Sequence, residues 1–149
     1  MNDPRYPVPE EESLLPVFRA LARAVQAAER EMSRFVADLG LTPSQFDVLA
    51  TLGDTAGLPF KVLSARSLIT GGTLTPVLDR LEAKGLVDRC KDASDQRKVI
   101  VKLTPAGQAL YRQAFLPFVD HMRARTSALA PAEQAQLVAL LEKFFAALA

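Results

Sequence analysis

Leu14, Phe18, Leu21, Val25, Ala28, Met32, Phe35, Val36 and Leu39 recur at three- and four-residue steps. That spacing draws one apolar stripe along a helix of roughly eight turns, over residues 10–39. A chain of 149 residues holds one ordinary domain, and a helix so long must project from it or lie against a partner. A second apolar face stands at the far end, where Ala130-Pro131 opens a helix carrying Leu137, Leu140, Leu141, Phe144, Phe145 and Leu148. One copy leaves too little core to cover both terminal helices. The expectation is a homodimer in which they pack against their counterparts in a second copy; the alternative is that they fold back on the chain's own centre. Residues 1–9, with Pro4, Pro7 and Pro9, deny a helix its backbone donors and read as a flexible arm, leaving residues 10–149 as a single domain.

Between the terminal helices the pieces are short. Gly40 ends the first helix, and Thr42-Pro43 is an N-cap followed by proline at the first helical position, which predicts a second helix over residues 43–52 that buries Phe46, Leu49 and Ala50. A third helix is expected over residues 59–67. Thr70-Gly71-Gly72 reads as a turn, followed by a helix with Leu74, Val77, Leu78 and Leu81 inward that stops at Lys84-Gly85. Two short helices joined by a tight turn make a helix-turn-helix. Residues 86–90 and 98–103 are β-rich and flank the polar run 91–97, so they read as a hairpin with a charged tip, a wing. Thr104-Pro105 repeats the cap-plus-proline opening for a fifth, long helix that Pro117 should bend.

Composition narrows the function. The chain has one Cys and one His, so an intrachain disulfide is impossible and a Cys/His zinc site or a nucleophile-plus-base pair is not expected. No phosphate loop or cluster of titratable residues is visible, which argues against an enzyme and against a cofactor. No apolar run is long enough for a membrane span and the start lacks a basic apolar leader, so the expected location is the cytoplasm. Net charge is only +1, but residues 58–104 carry nine basic side chains against five acidic ones, and the rest of the chain is net acidic. A basic centre on a neutral scaffold fits a polyanion-binding segment.

The most specific stretch runs Gly71-Gly72-Thr73-Leu74-Thr75-Pro76-Val77-Leu78-Asp79-Arg80-Leu81-Glu82-Ala83-Lys84-Gly85-Leu86-Val87. It is followed by Asp92-Ala93-Ser94-Asp95-Gln96-Arg97 and by Val101-Lys102-Leu103-Thr104-Pro105-Ala106-Gly107. In this order they resemble the recognition helix, the Asp-x-Arg wing tip and the entry to the dimerisation helix of the MarR family of bacterial transcriptional regulators. The resemblance covers nearly the whole chain from Glu12 onward. It implies a mainly α fold with a small β-hairpin: a winged helix-turn-helix lobe over residues 41–104, with dimerisation helices over 10–40 and 105–149. It also implies a homodimeric repressor on a pseudo-palindromic double-stranded DNA operator, released by a small, often aromatic, molecule. Thr-Leu-Thr-Pro looks like the branch of the family that senses organic hydroperoxides, but that branch's cysteine lies near the start of the first helix, and residues 18–28 contain none.

Chemistry assigns roles beside the resemblance. Gly71 and Gly72 let the backbone approach DNA closely, Thr73 and Thr75 offer hydroxyls and methyls to bases, and Pro76 stands where many relatives carry Arg. Their alternative role is helix capping and packing. Arg80 should reach the phosphate backbone. Arg97 at the wing tip suits the narrow minor groove, with Asp95 holding it and Lys91 and Lys98 on flanking phosphates; the competing reading is a solvated turn with a surface ion pair. Arg19, Arg23, Phe46, Asp47 and Tyr111 are candidate walls of an effector cleft. Cys90 is expected to be a half-buried structural thiol, its side chain alternating with outward-facing Arg89 and Lys91; a thiol-based redox switch through Cys90 is the rival. A winged-helix protein-interaction module without DNA binding is the alternative from another class. His121 is expected to pack or face solvent.

Overall fold

The computed structural model describes residues 14–69 and 71–148. The expected arm over residues 1–9 and residues 10–13 of the expected first helix lie outside them. The elements are α1 (Leu14–Ala37), α2 (Pro43–Leu52), β1 (Leu58–Pro59), α3 (Phe60–Arg66), α4 (Gly71–Ala83), β2 (Val87–Lys91), β3 (Val99–Leu103), α5 (Pro105–Arg125) and α6 (Pro131–Leu148).

Local chemistry sets the boundaries of α2 and α5. Thr42 Oγ1 accepts the Gln45 N–H at 3.3 Å while the Thr42 N–H donates to Gln45 Oε1 at 3.1 Å, a reciprocal cap that satisfies donors the helix cannot. Thr104 caps α5 through its side chain alone, accepting from the Gly107 N–H at 3.0 Å, and its hydroxyl donates backwards to the Gly85 carbonyl at 2.6 Å. The end of α4 is thereby stitched to the start of α5. A Cβ at Gly107 would stand 2.0 Å from the Leu86 carbonyl oxygen, so only glycine lets α5 pass that close.

The core is the centre of the chain. Phe46, Leu49 and Leu52 of α2, Leu63 of α3, Leu74, Leu78 and Leu81 of α4, Val87 of β2 and Val101 of β3 are fully buried. Phe35 of α1, Phe46 and Phe118 of α5 meet edge to face with centroids 5.0–6.1 Å apart, which fastens the long helices to this lobe. The rest of the long helices is uncovered. Leu15, Val17, Phe18 and Val25 of α1 are exposed, as are Leu137, Leu140, Leu141, Phe145 and Leu148 of α6, and no described residue of α6 is buried. Phe18 and Phe144 touch edge to face at 5.6 Å.

Four expectations change. Ala50 of α2 is only partly buried, while Gln45, Val48 and Leu52 are buried with Phe46 and Leu49. The wing is part of a three-stranded antiparallel sheet of order β1-β3-β2, because Leu58 and Pro59 pair with Val101 and Ile100. The glycines 71 and 72 are the first turn of α4, not a turn before it. Cys90 is exposed rather than half-buried. The physical reason is Arg89: its side chain takes the inward side of β2 to reach Asp79 Oδ1 at 2.6 Å and Glu82 Oε2 at 2.5 Å on α4, so alternation turns Cys90 outward. Among the described residues no helix is long and apolar enough to cross a membrane.

Candidate nucleic-acid interface

An amphipathic α4 divides its own residues by role. Leu74, Val77, Leu78 and Leu81 anchor it in the core, while Gly71, Gly72, Thr73, Thr75, Pro76 and Arg80 are exposed. Pro76 sits inside the helix and withdraws the N–H that the Gly72 carbonyl would otherwise receive. The helix is held at both flanks. Arg89 clamps it to β2 through Asp79 and Glu82; hydrogen bonding to Arg89 lowers the Glu82 carboxyl below its ordinary range, and the two carboxylates raise the guanidinium. At its end, Lys84 Nζ donates to the Gly40 carbonyl and lies 3.4 Å from Gln45 Oε1, tying α4 to the turn between α1 and α2.

The wing tip is built by two aspartates. Asp92 Oδ1 accepts the Ser94 N–H at 2.8 Å and the Asp95 N–H at 2.9 Å, and the Ser94 hydroxyl first, then these two N–H donors, hold its carboxyl below the ordinary range. Asp95 Oδ1 then accepts both the Arg97 N–H at 3.1 Å and Arg97 Nε at 3.2 Å, while Lys98 Nζ lies 3.8 Å from Asp95 Oδ2. Arg97 stays 92% exposed with its guanidinium oriented. Lys91 is exposed at the end of β2. Between the wing and α3 runs a groove of about 850 Å³ with Phe60, Val62 and Val99 in its wall and Lys61, Arg97 and Lys98 among its lining residues.

The five candidate walls of an effector cleft each have a neighbour or an exposure of their own. Phe46 is core, locked between Phe35 and Phe118. Tyr111 lies flat on Gly53, where a Cβ would come within 2.2 Å of its ring, and donates to Asp54 Oδ2 at 3.1 Å; burial first, and then this partner, raise its phenol above the ordinary range. Asp47 accepts the Leu68 N–H at 2.8 Å. Arg19 and Arg23 are exposed on the uncovered half of α1. Helical phase could place each residue on a face but could not say which neighbour occupied that face. His121 packs at α5 with its ring 5.7 Å from that of Phe35 and Nε2 3.1 Å from Glu31 Oε2, a contact that lowers the Glu31 carboxyl.

Sequence reasoning missed the inward Arg89, the turn-building Asp92 and the Lys84 tie. A signal existed for Asp92, since Asp-x-Ser is a turn-forming spacing. Arg89 and Lys84 needed partners that only the fold brings near. Among the described residues no group of three His, Cys, Asp or Glu could hold a metal ion.

An exposed helix seated on a helix-turn-helix core, beside a cationic wing, is the architecture of a winged-helix DNA-binding protein. The family model described as MarR matches residues 41–99. The homoprotocatechuate degradative operon repressor of Escherichia coli is 36% identical over 125 residues, covering 82% of this chain and 84% of the relative. Among solved structures, a MarR variant from Escherichia coli complexed with operator DNA superposes with a TM-score of 0.78 at 32% identity, covering 89% of this chain and 95% of that one. Bordetella bronchiseptica BpsR, whose DNA binding is regulated by 6-hydroxynicotinic acid, gives 0.75 at 33% identity over 87% of this chain and 98% of its own. The chain belongs to the MarR family of transcriptional regulators.

Proposed function

We propose that this regulator is a homodimeric repressor that sets α4 in the major groove and Arg97 in the adjacent minor groove of each half of a pseudo-palindromic operator. The observation that carries it is the pairing, on one lobe, of the exposed α4 row with an Arg97 oriented by Asp95. Gly71, Gly72, Thr73, Thr75 and Pro76 would face base edges. Arg80, Lys91 and Lys98 would meet phosphates. In this reading residues 41–104 are the DNA-binding lobe, and residues 10–40 and 105–149 join two copies through the uncovered faces of α1 and α6. Selection of duplexes from a random-sequence pool, followed by anisotropy titration, tests it. A two-fold consensus with affinity falling steeply as salt rises is expected, and failure to enrich any sequence would refute it, favouring an interaction module.

Release by a small aromatic acid is supported by the names of the two relatives, one an operon repressor for an aromatic acid's degradation and one a regulator answering to a hydroxylated nicotinic acid. Screening hydroxylated aromatic acids against the protein–duplex complex should find one that dissociates it. The exposure of Cys90 favours a second reading, a thiol switch. Stoichiometric hydroperoxide would then release the duplex from the parent and not from Cys90→Ser; equal behaviour of the two proteins removes it.

A further inference from the structure

Leu68 lies in the turn between α3 and α4, three residues ahead of Gly71, and is 88% exposed. A lone exposed leucine is ordinary on a protein surface, but this one cannot drift with its loop. Its N–H donates to Asp47 Oδ2 on α2, 21 residues away in sequence, at 2.8 Å. On one side the Ser67 N–H closes α3 on the Leu63 carbonyl at 2.9 Å, and on the other Ile69 packs against the core. Asp47 is half-buried; burial pushes its carboxyl above the ordinary range while the Leu68 N–H pulls it back. The fold thus keeps a partly desolvated carboxylate whose hydrogen bond fixes the backbone under an exposed leucine.

We propose that Leu68 is a sequence-reading contact, pressing its side chain on a thymine methyl beside the bases read by α4, and that Asp47 is the residue that positions it. This rests on the DNA-binding reading above. The leucine stands close in sequence to the proposed interface: Gly71, Gly72 and Thr73, all exposed, come three to five residues further on, and exposed Arg66 precedes it with a cation for the flanking phosphate. Of the base edges in the major groove, only thymine presents an apolar group, its methyl. One oxygen of the Asp47 carboxylate is engaged by the Leu68 amide, which is how it orders the turn.

The test uses the duplex selected from the random pool, with each thymine of one half-site replaced in turn by deoxyuridine, which removes only the methyl. Affinities are measured for the parent, Leu68→Ala, Asp47→Ala and Asp47→Asn, with melting curves for each. At one thymine the replacement should weaken the parent about fourfold, the worth of one buried methyl group, and leave Leu68→Ala unaffected. Asp47→Ala should lose the same sensitivity, and Asp47→Asn, whose amide oxygen still accepts the N–H, should keep it. Equal losses for parent and Leu68→Ala at every thymine would overturn the inference while DNA binding stood, as would an affinity loss in Leu68→Ala with no thymine responsible, the mark of a sugar or protein contact. Loss of sensitivity in Asp47→Asn would overturn the role of Asp47. A parent that selects no duplex would overturn the DNA-binding reading and this inference with it.

Discussion

The Arg97 guanidinium is almost wholly in solvent, and its bond to Asp95 is worth little to the fold. Arg97→Ala should therefore leave the melting temperature where it is and weaken the selected duplex by about 1–3 kcal/mol; unchanged affinity would remove the minor-groove role. Arg80→Ala should weaken all sequences alike and reduce the salt slope by about one unit. Asp92 brings a pH dependence. Its carboxyl is lowered in the fold by the Ser94 and Asp95 donors, so the order it confers on the wing tip is fully present above the ordinary aspartate range near about pH 4 and is lost as pH falls through the lowered value. Hydrogen exchange at the Ser94 and Asp95 amides should be protected at neutral pH and lose that protection in acid, and Asp92→Ala should abolish it at every pH. Cys90 should react with an aromatic disulfide reagent at once in the native protein, since no unfolding is needed to reach it.

At the scale of elements, recognition helix, wing and long helices are joined by a few specific ties. Gly107→Ala would drive a methyl into the Leu86 carbonyl where α5 crosses the end of α4, and should cost about 1–3 kcal/mol by the usual penalty of overpacking, read in a urea melt. The sequence foretold α2 and α5 well because their signals are local: Thr42 and Thr104 cap within three residues, and proline follows each. It foretold the buried face of α4 from spacing alone. β1 escaped it because a two-residue strand has no periodicity, and its evidence is a partner strand far along the chain. Cys90 was misplaced for a different reason. Alternation along β2 was read correctly, but its phase was set by Asp79 and Glu82 drawing Arg89 inward, and those carboxylates lie on another element. The surroundings of the candidate effector walls were illegible for the same reason, since Phe46, Asp47 and Tyr111 each answer to a different neighbour.

The whole molecule is unevenly built, with a dense lobe over residues 41–104 and terminal helices whose apolar faces look outward. Phe18 and Phe144 meet each other, while Leu137, Leu140, Leu141 and Phe145 are left open to solvent within one copy. If a second copy covers them, folding and association are one equilibrium, and the melting temperature should climb with protein concentration, stability per dimer gaining about 1.4 kcal/mol for each tenfold increase. Calorimetry over a wide concentration range, beside sedimentation, checks this; a monomer with a constant melting temperature would refute the pairing. Dilution then acts on the fold itself: halving the number of chains removes more than half of the paired ones, because every intact pair needs two chains to meet. A duplex that seats two copies side by side supplies that meeting without any rise in bulk concentration, so scarce protein would hold its shape longest on its own binding site.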